Sequence, residues 1–217
     1  FAYPLLNLAR LSFDETVDGG VLVETWSLAS YRELLSDAFY GELTLNSLLI
    51  AIEASTAAML IGYPVALCLY RTTSRWRGLL IVLAIAPLLV SSVVRVFGWL
   101  VILGDRGLIN ALLASFGLTA GPVRMVYNWT GVIVGLTEGI LPFVVLGQLA
   151  GFGRLDRSLE DAADTLGASP WRRFRAITLP LSLPGLMLGW MIGFIISMSA
   201  YVSPRLLGGG RVFVLAT

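Results

Sequence analysis

Three stretches of this chain are long, almost wholly apolar, and interrupted by a single charged side chain each. Leu45–Tyr70 holds Glu53, Leu79–Leu103 holds Arg95, and Trp129–Leu149 holds Glu138. A fourth apolar run, from near Leu183 to near Val202, holds none. A helix needs about 20 apolar residues to cross the hydrocarbon of a bilayer, and each run is of that order. Composition points the same way: 57% of residues are hydrophobic and 13% charged, against about 25% charged in a soluble domain, and mean hydropathy is +0.82. The expected fold is an all-α polytopic membrane protein, a single domain over residues 1–217 with about five to six spanning helices. FAYPLLNLAR at the start reads as the tail of a helix and RVFVLAT at the end as the start of another apolar run, so both ends are expected to be truncated.

The charges are few but unevenly placed. All 15 basic residues are arginine, there is no histidine, and the net charge is +1. Nothing in that balance points to nucleic acid, and lack of histidine removes the usual proton shuttle and the commonest metal ligand. The single Cys68 lies inside an apolar run and reads as a small buried hydrophobe. No metal site is expected, and no HExxH or GxSxG motif suggests hydrolysis. Residues 11–43 hold Asp14, Glu15, Asp18, Glu24, Glu33, Asp37 and Glu42 against Arg32. The next connection holds Arg71, Arg75 and Arg77, residues 104–128 hold Arg106 and Arg124, and the last connection holds Arg154, Arg157, Arg172, Arg173 and Arg175. Arginine-rich connections stay in the cytoplasm, so the acidic loop and residues 104–128 face outward. Within the latter, Leu108, Leu112, Leu113 and Phe116 recur at helical spacing, as in a helix on the membrane surface or an amphipathic connector. Gly62–Pro64 and Leu141–Pro142 predict kinks.

Counted from the outward end of their spans, Glu53 and Arg95 are about eight residues deep and Glu138 about nine. At about 1.5 Å per residue they share one level, roughly 12–14 Å below the outer boundary. Charges in a bilayer pair with one another or line a polar path. Arg95 with Glu53 or Glu138 is then either a clamp between helices or part of a substrate station. Trp99, Phe97 and Tyr201 lie in the same outward half, where they suit either an organic cation or an interfacial aromatic belt; Trp129 fits the belt.

The most polar stretch near an apolar run is EDAADTLGASPWRRFRAITLP, Glu160–Pro180. Ser158, three residues before Asp161, has the spacing of a capping box, Gly167 suits a left-handed turn, and Ser169–Pro170 is a second helix start. The pattern predicts helix, sharp turn, and a second helix that ends before Pro180. Trp171, Phe174 and Ile177 or Thr178 recur at three- and four-residue steps along that second helix. It suits either an interfacial helix with snorkelling arginines or a docking element for a cytoplasmic partner.

Here the residues resemble a known family. Asp161-Ala162-Ala163, then Gly167 after three residues, then Ile177-Thr178-Leu179-Pro180 after nine, match the EAA loop E-A-A-x3-G-x9-I-x-L-P of binding-protein-dependent ABC importer permeases. The departure is Asp161 in place of Glu, with Glu160 beside it. TWSLASYRELLSD, NSLLIA, ILGDRGLINALL, LPFVVL and YVSPRLLGG extend the resemblance to the spermidine/putrescine-type permeases over almost the whole chain. Many of those have Gly-Asp where this chain has Ser199-Ala200 before Tyr201-Val202-Ser203-Pro204.

The resemblance implies a type I ABC importer transmembrane domain in the bacterial inner membrane, translocating a small, polyamine-like or related organic solute. It implies no catalytic site and no cofactor on this chain, with ATP and magnesium held by a dimer of ATP-binding cassette subunits. A second permease subunit and an extracytoplasmic solute-binding protein are the other partners implied, beside membrane lipid. Asp161, Ala162, Ala163 and Gly167 then shape the contact with the ATP-binding subunit; Glu160, Trp171, Arg172 and Arg173 join them from their position in the loop. Glu53, Arg95, Trp99, Glu138 and Tyr201 are the candidate substrate pathway. The alternative is an ion-coupled secondary transporter using Glu53, Arg95 and Glu138 as a relay, which leaves the EAA spacing unexplained.

Overall fold

A computed structural model describes residues 2–17, 21–23, 26–28, 31–32, 36–119 and 121–217. Asp18, Glu24 and Glu33 of the acidic loop, and part of TWSLASYRELLSD, lie outside the described residues. The chain divides into two compact units, Phe1–Asn46 and Ser47–Thr217.

In the first unit α1 spans Ala2–Leu11 and is followed by two short antiparallel strands, β1 (Glu15–Val17) and β2 (Val21–Val23), with Thr16 opposite Leu22. Phe13 packs against both Trp26 and Tyr31, with ring centroids 5.6 Å apart in each case.

Among its described residues the second unit consists of helices joined by turns and loops. Its elements are α2 (Ala38–Arg71, from Ser47 onward), α3 (Arg77–Ile85), α4 (Ser92–Leu103), α5 (Leu108–Ser115), α6 (Trp129–Gly151), α7 (Arg157–Thr165), α8 (Pro170–Arg173), α9 (Leu179–Met198) and α10 (Val202–Leu207). Among the described residues, four stretches are long and apolar enough to cross a membrane: Ala38–Arg71, Ser92–Ser115, Trp129–Gly151 and Pro170–Met198. Leu79–Leu103, expected as one span, is two helices. After α3 a 3₁₀ turn at Ala86–Leu89 carries Pro87, and Val90 is extended (φ −96°, ψ 134°) before α4 begins. Proline cannot donate to the helical ladder, and the chain leaves the α conformation within a turn of it. Pro64 and Pro142, by contrast, lie inside α2 and α6, which continue through them.

The core follows four-residue steps. Ile50, Ala54 and Ala58 on α2 and Val132, Leu136, Ile140 and Val144 on α6 are buried in one cluster with Val96 and Leu207. Residues four apart share a helix face, so two such rows interlock as ridges. The most extensive pairing is α6 with α9. There a Cβ added at Gly151 would stand 2.0 Å from the Gly185 Cα, and one at Gly147 would stand 2.9 Å from the Gly189 Cα. The two backbones touch, an arrangement open only to glycine and typical of helices packed in lipid. Polar links tie both helices to α2: Gln148 Nε2 donates to the Met59 carbonyl at 3.0 Å, and the Trp190 indole donates to Thr56 at 3.0 Å.

Candidate functional site

The polar turn is built from its caps outward. The Asp156 side chain accepts from the Ser158 amide at 2.9 Å, so α7 starts at Arg157 and its cap is Asp156, not Ser158. That amide bond holds the Asp156 carboxyl below its ordinary range. An acceptor two residues upstream reaches the first free N–H groups, leaving Ser158 inside the helix. At the other end Gly167 has φ +75°, and Gly167 and Ala168 donate to the carbonyls of Asp164 and Ala163. Ser169 caps α8 by accepting from the Arg172 amide at 3.3 Å, with Pro170 in the first turn.

The second helix does not end before Pro180. Phe174–Thr178 forms a π turn that passes directly into α9, so helix is continuous from Pro170 to Met198. The wide turn interrupts the regular ladder just where Pro180 has no N–H to give, and the helix survives the proline.

Glu160 is the hub of this region. Its Oε1 accepts from Arg71 Nη2 at 2.7 Å and from Thr178 Oγ1 at 2.6 Å, joining α7 to the end of α2 and to the π turn. Thr178 is fully buried. Burial pushes the Glu160 carboxyl up, but the hydrogen bonds from Thr178 and Arg71 and the nearby guanidinium charges outweigh it and hold the group below its ordinary value. The Tyr70 hydroxyl donates to the Leu155 carbonyl, and Arg173 pairs with Asp164. Glu160 therefore points into the chain. Asp161, Ala162 and Gly167 are exposed, whereas Ala163 is buried. Outside stand Leu166, 87% exposed, and Trp171, 68% exposed and stacked on Phe174, with Arg172 beside them. Large apolar side chains left in the open around a fixed turn mark an interaction surface.

The intramembrane charges are sorted by the helix packing. Arg95 on α4 meets Glu138 on α6, with Nη1 and Oε1 3.1 Å apart, and Trp99 Nε1 donates to the other carboxylate oxygen at 3.4 Å. Tyr201 lines a cleft with Arg95. Glu53 takes no part in that pair: it is exposed, and its Oε2 accepts from the Trp129 indole at 2.6 Å. Shared depth made Glu53 and Glu138 equal candidates, but α4 packs on α6, and this gives Arg95 to Glu138. Trp129 is accordingly a partner of Glu53, which its position at a span boundary did not reveal. The joint contact of Thr178 and Arg71 with Glu160 was also not foreseen; an Arg at the end of a span is expected on topological grounds alone.

Residues 54–217 match the family of binding-protein-dependent transport system inner membrane components. The chain belongs to this family. Among its relatives, the spermidine/putrescine transport system permease protein PotB of Escherichia coli is 32% identical over 208 residues, covering 96% of this chain and 75% of that protein. PotB of Haemophilus influenzae is 33% identical over 189 residues, covering 87% of this chain and 66% of that protein. The molybdenum transport system permease protein ModB of Haemophilus influenzae is 32% identical over 162 residues, covering 72% of this chain and 69% of that protein. The chain thus spans about two thirds to three quarters of its PotB relatives. This family member is a multi-pass inner-membrane protein and the permease component of a binding-protein-dependent ABC transporter.

Proposed function

We propose that this permease imports a small organic cation of the polyamine class, and that ATP hydrolysis in a partner reaches it through the turn around Gly167. The substrate class follows the PotB relatives and the two intramembrane carboxylates; the ModB relative, of similar identity, carries another solute's name. In this reading a dimer of ATP-binding cassette subunits holds ATP and magnesium and seats on the cytoplasmic face formed by Asp161, Ala162, Gly167, Leu166, Trp171 and Arg172. A second permease subunit completes the pathway, and an extracytoplasmic binding protein delivers the solute. Glu53, Arg95, Trp99, Glu138 and Tyr201 line the path.

One observation carries the reading: the exposed Leu166–Trp171 surface is mechanically joined to the intramembrane charges. Helix runs without a break from Pro170 to Met198, and α9 touches α6 backbone to backbone at Gly147–Gly189 and Gly151–Gly185. α6 carries Glu138. Glu160 and Arg71 fasten the same turn to α2. A displacement of the turn by a partner therefore moves helices rather than a loose loop, as coupling between two sites requires.

Co-purification tests it. Gly167→Val forces a β-branched residue into a left-handed position, and the permease should insert in the membrane yet lose its ATP-binding subunit. Retention of that subunit and of solute uptake after deletion of Glu160–Arg173 would overturn the reading.

A further inference from the structure

Arg95 and Glu138 give each other little. A single contact of 3.1 Å joins them, the Trp99 bond to the second carboxylate oxygen is long, and Arg95 Nε is buried without an acceptor. A guanidinium that serves as a permanent partner commonly grips a carboxylate with two parallel N–H groups. The two side chains also open onto different clefts. Glu138, Trp99 and Thr137 wall one of about 360 Å³, together with Ala57, Ile61 and Leu141. Arg95 lines the other, of about 220 Å³, with Tyr201 and Ser203. Gly139 lines that same cleft and puts no side chain into it, so the guanidinium has room to withdraw.

The first cleft has a definite chemistry. The walls are almost wholly apolar, with the Glu138 carboxylate and the Trp99 indole at their edge. A divalent metal would need six or more oxygen ligands, or octahedral geometry, which this cleft does not offer. An alkylammonium group needs one carboxylate for its charge, an aromatic face beside it and apolar surface for its methylenes.

We propose that Arg95 is a tethered stand-in for the transported cation. In the empty permease its guanidinium keeps Glu138 paired, which spares a lone charge in the membrane. An alkylammonium arriving in the Trp99 cleft takes over the carboxylate, and Arg95 withdraws toward Tyr201 and Ser203. Its return displaces the ammonium, so release needs no proton transfer. The inference rests on the organic-cation reading above and adds a competitor built into the chain. A guanidinium occupying Glu138 in nine empty transporters of ten weakens ligand binding about tenfold.

The test uses the assembled transporter, with labelled spermidine as the probe. In proteoliposomes with the binding protein, the wild type should import spermidine; no import overturns the organic-cation reading and this inference with it. In detergent without the binding protein, Arg95→Gln should bind spermidine about tenfold more tightly than wild type and import it more slowly. Glu138→Gln should abolish binding in either background. Import by the wild type combined with unchanged or weaker binding by an intact Arg95→Gln complex overturns the stand-in alone. A readout on the wild type covers a variant that does not assemble: modification of Arg95 by phenylglyoxal, followed by mass spectrometry, should rise when spermidine is added. An unchanged or lower yield overturns the stand-in.

Discussion

Two of the arginine–carboxylate pairs that tie helices together in this permease are built in opposite ways. At Arg71–Glu160 the side chains are 40% and 20% exposed, yet one carboxylate oxygen takes bonds from both Arg71 and Thr178, and Tyr70 braces the same end of α2. At Arg95–Glu138 the side chains are 17% and 26% exposed, the contact is 3.1 Å rather than 2.7 Å, and the carboxylate's second bond, from Trp99, is 3.4 Å. The two carboxylates are similarly exposed, yet Arg95, the more buried guanidinium, has the longer contact and an Nε without an acceptor. A charge removed from water needs more hydrogen bonds, not fewer. The well-bonded pair is a joint. The under-bonded one keeps a position that another cation can take.

The largest expected effect comes from cutting the link between the two regions. Gly151→Val drives a side chain into the Gly185 backbone, and overpacking of this kind costs about 3 kcal/mol. Little intact transporter should survive gel filtration; a normal yield would mean that the turn and the charges are not mechanically joined. Glu160→Ala comes next. It leaves the buried Thr178 hydroxyl without its acceptor and removes the ion pair with Arg71, at about 2 kcal/mol. It should lower the melting temperature of the purified complex and weaken retention of the ATP-binding subunit, while spermidine binding to the permease stays unchanged. Thr178→Val removes the bond to Glu160 and the long one from Arg71, and should do the same at about 1 kcal/mol.

Acid offers a milder probe of the joint. Glu160 titrates below its ordinary value in the folded chain. A depressed carboxyl contributes stability that is fully present above the unfolded value and is lost as pH falls through the folded one. Association of the ATP-binding subunit should thus be flat from about pH 8 to about pH 5.5 and weaken only below the ordinary carboxylate range. Glu160→Gln should remove the part of that acid dependence that belongs to this joint. The smallest effect belongs to the cap: Asp156→Ala should speed hydrogen exchange at the Ser158 amide, whereas Ser158→Ala should not.

The spans were legible in sequence because lipid imposes one simple demand, and Leu45–Tyr70, Trp129–Leu149 and Leu183–Val202 meet it by length and apolarity. Within Leu79–Leu103 the same signal concealed a break, since hydropathy does not register that Pro87 and Val90 leave the helix. At the turn, Gly167 and Ser169 were readable because positive φ and a free N–H group select few residue types. Asp156 was not, for Ser158 offered an equally good spacing and only the backbone geometry chooses between them. Depth brought Glu53, Arg95 and Glu138 to one level, but which pair forms depends on the helix packing around the axis. Linear counting carries no information on that angle.

The π turn at Phe174–Thr178 also sets a direction. An α-helix advances about 100° per residue, and a π turn behaves as one extra residue wound into it. With the same residues wound as regular α-helix, Pro170–Arg173 would be rotated by about that angle against α9. Trp171 would then face a different way while every spanning helix kept its place. The extra residue works as an aiming device: it fixes the bearing on which the surface helix presents its indole, independently of how the membrane helices are packed.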